Sequence, residues 1–164
     1  SATRRFKGSS ILFFGSGEFH PLGLALASSK PVLWYDPERC ELTDLRDARE
    51  RFLRRRFAAI ERARDARRFG ILLSSKSGQL RKHDASNARR MLVDAGKEAH
   101  VVVIDEVRPE LLNYMNVDAW VSTACPRIPL DDSERFQRPM LTFQEMEILL
   151  GKRKWDDYKL DSFG

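Results

Sequence analysis

The chain has 164 residues, 42% of them hydrophobic, which is enough for one domain core or two small ones. No apolar run approaches the roughly 18 residues of a membrane span, no basic-then-apolar leader opens the chain, and its two cysteines, Cys40 and Cys125, form neither a disulfide framework nor a local metal motif. The net charge of +5 is concentrated in residues 44–68, where ten arginines face five acids, a surplus equal to that of the whole chain.

Ile11-Leu12-Phe13-Phe14 reads as a short buried strand. It breaks into Gly15-Ser16-Gly17-Glu18-Phe19-His20-Pro21, and a short apolar helix follows over 22–28. Pro31-Val32-Leu33-Trp34-Tyr35 is a second strand, ended by Asp36-Pro37, so the opening is a strand–helix–strand crossover. Two strands are too few for a stable sheet, which predicts that part of this unit lies elsewhere. Thr43 or Asp44 caps a long helix predicted over 44–68, with Leu45, Ala48, Phe52, Leu53, Phe57, Ile60, Ala63 and Ala66 on its apolar face. Glu50 and Arg54 stand at a favourable i,i+4 spacing, and the arginines form a solvated face.

A second unit begins at Phe69. Gly70–Ser75 is a buried strand, 76–79 a loop, 80–95 an amphipathic helix closed by Gly96, and 99–104 a β-branched strand. Pro109 opens a helix to about Met115, and 117–122 form the next strand. Pro126 then bars helix for Cys125, because a residue before proline is driven toward extended backbone. A thiol therefore stands where a strand ends and a loop begins, the edge at which open α/β sheets bind ligands. Arg127 and Pro129 follow in the loop, which runs into the paired carboxylates of Asp131 and Asp132. Capping the next turn is the expected role of those carboxylates; general acid–base work is the alternative. After Pro139-Met140-Leu141, Thr142 and Glu145 form a capping box for a helix to Leu150. The aromatic, charged tail from Gly151 packs on the surface. Strands alternating with helices predict an α/β fold with parallel sheets.

The candidate sites differ in strength. Gly15-Ser16-Gly17 resembles a phosphate-cradling turn but lacks the third glycine of a dinucleotide fingerprint, so a plain tight turn competes. His20 heads a helix, where the dipole disfavours its charged form; it is either a cleft-facing hydrogen-bonding group or a turn residue. Cys40 lies between Glu38 and Glu41, which disfavour a thiolate, and is expected to be inert. His83 and His100 are expected on the surface and in a strand. The arginine helix offers no interleaved aromatics for base stacking.

Ser122-Thr123-Ala124-Cys125-Pro126-Arg127-Ile128-Pro129-Leu130-Asp131-Asp132, with Arg138-Pro139-Met140-Leu141-Thr142, resembles the carboxyl-terminal part of the archaeal-type diphthamide biosynthesis enzymes. Gly15 to Gly23 is similar to that family's Gly-Asp-Gly-x-Phe-His-Pro-Leu-Gly stretch, with Ser16 in place of the aspartate. Asp36-Pro37, 75–79 and 147–151 fit in the same order, so the resemblance covers essentially the whole chain. It implies parallel-sheet three-layer sandwich units: residues 1–43 as part of the second α/β domain, 44–68 as a long connecting helix, and 69–164 as the complete third domain.

The resemblance also implies a chemistry. Such enzymes transfer the 3-amino-3-carboxypropyl group of S-adenosylmethionine to a histidine of elongation factor 2. A [4Fe–4S] cluster held by one cysteine from each domain cleaves the carbon–sulfur bond by a radical route. The resemblance places Cys125 as the third cluster ligand, and Gly15, Gly17 and His20 along the same cleft; Arg127 is a candidate for the substrate's carboxylate. Cys40 matches no ligand. A homodimer, an electron donor and a cytoplasmic location are expected, with no membrane and no nucleic-acid partner. The first domain and its cysteine are missing and the second ligand would fall just before Ser1, so this chain alone is expected to be an inactive fragment. Two readings compete: a non-catalytic domain binding protein or RNA through the arginine helix, and a small nucleotide-binding module.

Overall fold

The structure is a computed structural model that describes residues 8–75, 81–123, 127–131 and 135–158, of which the Arg127 and Asp131 side chains are not described. Two compact units divide the chain, with the boundary between Arg55 and Arg56.

In the first unit, β1 (Ile11–Phe14) pairs in parallel with β2 (Val32–Asp36), and helix α1 (Phe19–Ala27) connects them. Alternation puts Ile11, Phe13, Val32 and Trp34 on one face, where they pack on Ala25 and Leu22 of α1 and on Leu45 and Ala48. The sheet has a third strand that the sequence pattern did not announce. β3 (Glu41–Asp44) pairs antiparallel with β2, in register Trp34↔Thr43 and Asp36↔Glu41. All four of its residues are exposed, so the alternation that marks a half-buried strand is missing. The β2–β3 connection turns at Cys40, which adopts φ +53°.

Helix α2 spans Arg46–Arg62, shorter than the predicted 44–68 at both ends. At its start, Asp44 belongs to β3, and its carboxylate accepts the Arg46 amide at 3.0 Å, much as a cap would. At its end, the amides of Arg67 and Arg68 donate to the Asp118 carboxylate at 3.1 and 2.9 Å instead of to helical carbonyls, and Arg68 begins a strand. Most of the predicted apolar face is buried, but Phe57 is 44% exposed and its neighbour Arg56 only 1%.

The second unit carries a four-stranded, all-parallel sheet in the order β5-β4-β6-β7, from β4 (Arg68–Ser74), β5 (Glu98–Ile104), β6 (Ala119–Ser122) and β7 (Met140–Thr142). Both faces of its β4-β6-β7 part are covered, as parallel sheets require, while Val101 and Val103 of the edge strand β5 stay exposed. On one side, Ala85, Ala88 and Leu92 of α3 (Lys82–Asp94) and Met146 of α6 (Phe143–Leu149) pack with Ile60 and Ala63 on Phe69, Ile71 and Val121. On the other, Leu112 of α4 (Pro109–Asn113), Ile128 of α5 (Arg127–Asp131) and Phe136 pack on Leu72, Trp120 and Met140. This unit is the three-layer α/β sandwich predicted. The first described part of the cysteine loop departs from expectation: 127–131 is a short helix. Pro129 is compatible with it, because in a first turn its missing N–H removes no helical bond. The capping box is present, with the Glu145 amide donating to Thr142 Oγ1 and the Thr142 amide to Glu145 Oε2. Trp155, in a 3-10 turn at Trp155–Asp157, stacks on Tyr158 at 4.9 Å and meets Phe57 edge-on at 5.3 Å, which accounts for the half-covered Phe57.

Gly70 and Trp120 are cross-strand partners in the β4–β6 ladder. A Cβ on Gly70 would lie 2.1 Å from Trp120 Cζ3 and 2.4 Å from Cε3, inside any tolerable contact. The fully buried indole occupies the space a side chain would need. Gly70→Ala should therefore cost about 3 kcal/mol, an overpacking penalty, read as a lower urea midpoint with unchanged m; a cost near zero would contradict the packing. A second prediction concerns Asp118. The Arg68 guanidinium at 2.8 Å, with the Arg68 and Arg67 amides, holds its carboxyl well below the usual carboxylate range. A depressed folded pKa stabilises the fold above the unfolded value of about 3.9, and that contribution is lost as pH falls through the folded pKa. Asp118→Asn should thus destabilise at neutral pH and progressively less below about pH 4; a difference constant from pH 7 to pH 2 would refute the assignment.

Candidate functional site

The strand order locates the site before any side chain is considered. From β4 the chain crosses to β5 on one side, then returns to place β6 on the other side of β4. That reversal is the topological switch point of an open parallel sheet, and ligands bind outside the carboxyl ends of its two strands. Here those ends are Ser74 of β4 and Ser122 of β6. Cys125 itself lies outside the described residues, as does the loop at 76–80. Its chain position is three residues past the end of β6.

What surrounds that position is well defined. The Thr123 amide and hydroxyl both donate to the Leu72 carbonyl, at 3.0 and 2.9 Å, locking the last turn of backbone before the cysteine onto β4. Ser75 Oγ donates to Asp105 Oδ1 at 3.0 Å, joining the ends of β4 and β5. Ser122 is 6% exposed, and its hydroxyl has no hydrogen-bond partner among the described residues. An orphaned buried hydroxyl costs on the order of 1–3 kcal/mol and in a native structure calls for an explanation such as a bound group.

Beyond Cys125 the chain enters α5, and here sequence reasoning missed the central residue. Arg56, counted among the solvated arginines, sends Nη1 to the Pro129 carbonyl at 2.6 Å and Nη2 to the Met140 carbonyl at 2.8 Å. Its Nε and Nη2 also donate to the two oxygens of Glu145, at 2.8 and 2.6 Å. Glu145 is fully buried and also accepts from Tyr158 Oη at 2.9 Å. Burial works against the Arg56 charge, but the hydrogen bond and charge of Glu145 outweigh it and the guanidinium pKa rises. Burial and the Glu145 charge push the Tyr158 hydroxyl upward, so it stays a neutral donor. Removing one partner of such a pair typically costs about 3–5 kcal/mol. The only sequence signal was Arg56's position between Phe52 and Ile60 on the apolar side, where a polar residue breaks the pattern.

The glycine turn belongs to the first unit. Gly17 adopts φ +86°, a conformation that glycine accepts without penalty. The Gly15 amide donates to the Tyr35 carbonyl at 3.1 Å, and its carbonyl accepts from Trp34 Nε1 at 2.7 Å. Trp34, another residue the sequence reading passed over, thus fixes the turn at the carboxyl end of β1. His20 is exposed in the first turn of α1, edge-on to Phe19. Gly15, Gly17 and His20 therefore share one strand edge. A cavity of about 440 Å3 beside them is lined by Glu18, Leu22, Ala48, Arg51, Arg54 and Arg55. Arg127 is the first residue of α5; its side chain lies outside the described residues, as do those of Asp131 and Asp132.

Cys40 is exposed in the β2–β3 turn, its thiol 3.7 Å from the Pro37 carbonyl. Among the described residues no group of three or more His, Cys, Asp or Glu side chains is placed to hold a metal ion. No described helix is long and apolar enough to cross a membrane. Several arginines of the basic segment are engaged by acids: Arg46 by Asp44, Arg54 by Glu50, Arg64 by Glu61, and Arg68 by Asp118. This pairing weakens the case for a polyanion-binding helix.

Comparison with known proteins bears on the same residues. The profile of the diphthamide synthesis protein family matches residues 2–159. The chain is 43% identical over 157 residues to 2-(3-amino-3-carboxypropyl)histidine synthase of Pyrococcus horikoshii, covering 96% of this chain and 45% of that protein. It is 32% identical over 163 residues to the enzyme of the same name from Methanocaldococcus jannaschii, covering 96% and 48%. The crystal structure of Dph2 from Pyrococcus horikoshii with a 4Fe-4S cluster superposes with a TM-score of 0.86 at 43% identity, over 96% of this chain and 44% of that one. The chain thus spans about half the length of these relatives. With a family match across nearly its whole length and a shared fold, this chain belongs to the diphthamide synthesis protein family.

Proposed function

We propose that this chain is the cysteine-bearing carboxyl-terminal part of a 2-(3-amino-3-carboxypropyl)histidine synthase, the transferase that begins diphthamide formation on a histidine of elongation factor 2. The observation that carries the reading is the chain position of Cys125, three residues beyond β6 at the switch point between β4 and β6, in a chain of this family.

In this reading Cys125 is one thiolate ligand of a [4Fe–4S] cluster. The residues present suit that role: the thiol follows a strand edge, and the Ser122 hydroxyl, without a partner among the described residues, stands three residues before it. When bound, the cluster supplies the electron that cleaves a carbon–sulfur bond of S-adenosylmethionine. The protein's part is positional. Thr123 pins the backbone before the thiol to Leu72. Arg127 opens α5 just past it and offers a guanidinium to the substrate's carboxylate. Gly15, Gly17 and His20 are the second domain's candidates for holding the substrate, with Trp34 keeping the glycine turn in shape.

Residues 1–43 then belong to the family's second domain, 44–68 join the domains, and 69–164 form the third. The remaining two cluster thiolates come from the rest of a chain about twice this length. A homodimer, a cytoplasmic location and an external electron donor complete the proposal. This part alone, with one ligand of three, neither holds the cluster stably nor turns over.

The test uses the full-length protein, reconstituted anaerobically. Cys125→Ala should abolish the cluster absorption at about 400 nm together with transfer of label to elongation factor 2. A variant that keeps a full cluster and activity would sink the proposal.

A further inference from the structure

Helix α5 has five residues, far fewer than a helix needs to persist by its own hydrogen bonds. Its last carbonyls have no amide to accept from within the helix, and a buried carbonyl left so is costly. Leu130 is 4% exposed and Ile128 packs against the cluster of Leu72, Trp120 and Met140, so apolar contact holds one side. The polar tether comes from a residue distant in sequence: Arg56 Nη1, 2.6 Å from the Pro129 carbonyl.

The same guanidinium reaches the other flank of the cysteine loop. Nη2 binds the Met140 carbonyl at 2.8 Å, and Met140 pairs with Trp120 in the β6–β7 ladder. β6 is the strand that delivers the chain to Cys125, and Pro129 stands four residues beyond Cys125. Glu145 supplies the counter-charge and, through the capping box, its own attachment to Thr142. A buried ion pair is poor evidence of added stability, since apolar pairs of equal volume often serve as well. What an apolar pair cannot do is reach two carbonyls on different elements while fixed by a carboxylate on a third. A lysine, with one compact ammonium in place of a planar fork, does not reproduce that geometry.

We infer that Arg56 is a positioning residue for the cysteine loop, clamping the chain after Cys125 at the Pro129 carbonyl of α5 and at the Met140 carbonyl of β7, the strand paired with β6. The inference rests on the reading of Cys125 as a cluster ligand only for its chemical consequence; the clamp itself stands on the distances above.

The experiment separates the two. The double variant Arg56→Met/Glu145→Met removes the clamp without leaving a buried charge alone, and Tyr158→Phe takes one hydrogen bond from Glu145 while keeping the ion pair and both bonds from Arg56 to the carbonyls. In this chain, hydrogen exchange followed by mass spectrometry should speed up about ten-fold at 127–131 in the double variant, with β4 and β5 near wild type. In Tyr158→Phe the same segment should stay within about two-fold of wild type. In the full-length protein, the double variant should lose its absorption at about 400 nm to a chelator at least about five-fold faster than Tyr158→Phe. Unchanged exchange at 127–131, or an equal rise throughout the sheet, overturns the clamp. Faster exchange with unchanged cluster loss overturns its link to Cys125. Failure of the wild-type full-length protein to take up any cluster would instead overturn the functional reading and leave the exchange result to judge the clamp.

Discussion

A buried guanidinium must find a partner for its charge and acceptors for its donors, because an unpaired ion in a protein interior is prohibitively costly. Arg56 meets that demand with Glu145, Pro129 and Met140, and Glu145 completes its own bonding with Thr142 and Tyr158. One charge therefore draws α2, α5, β7, α6 and the 3-10 turn into a single hydrogen-bonded set. None of the three short elements among them, of five, three and seven residues, is long enough to hold itself. The carboxyl-terminal half of the second unit takes its arrangement from this network and from the indole of Trp120 lying over Gly70.

That arrangement explains why a parallel strand edge can present a thiol. β6 is four residues long and completely buried. It is held by β4 on one side and β7 on the other, and Thr123 adds two further bonds to Leu72. The chain reaches the switch point on a rigid support and leaves it through a helix tethered by Arg56. Iron–sulfur chemistry needs thiolates delivered at fixed geometry from elements that do not yield. The first unit applies the same economy to its glycine turn, where the Trp34 indole N–H fixes the Gly15 carbonyl.

Much of this was legible in the sequence where hydrophobic periodicity was strong. The strands read at 70–75 and 99–104 and the amphipathic helix read at 80–95 appear as β4, β5 and α3, although Val101 and Val103 of β5 are exposed, and Thr142 with Glu145 forms the capping box. Pro37, Gly17 and Gly96 marked turns, whereas Pro21 and Pro129, read as loop residues, lie in the first turns of helices; the cysteine loop carried a motif specific enough to point to the family. The misses have physical causes. β3 is exposed along its length, so no alternation announced it. α2 gives way to tighter turns, with the Arg64 and Ala66 amides bonding three residues back, and Asp118, far along the chain, then captures the Arg67 and Arg68 amides. Arg56 was placed in solvent because residue type outweighs position in a pattern count, and its acceptors lie 73 to 89 residues away. The reason for glycine at position 70 is the indole of Trp120 on the neighbouring strand, which the sequence pattern does not show. Long-range partners are what a single sequence conceals.

The central claim is that the sulfur of residue 125 is bonded to iron. It can be observed directly by placing 77Se-selenocysteine at position 125 of the full-length protein and recording electron–nuclear double resonance on the reduced cluster. The account predicts a strong selenium hyperfine coupling that vanishes when the label is moved to position 40, on the exposed β2–β3 turn. A reduced cluster with no selenium coupling from position 125 would contradict it.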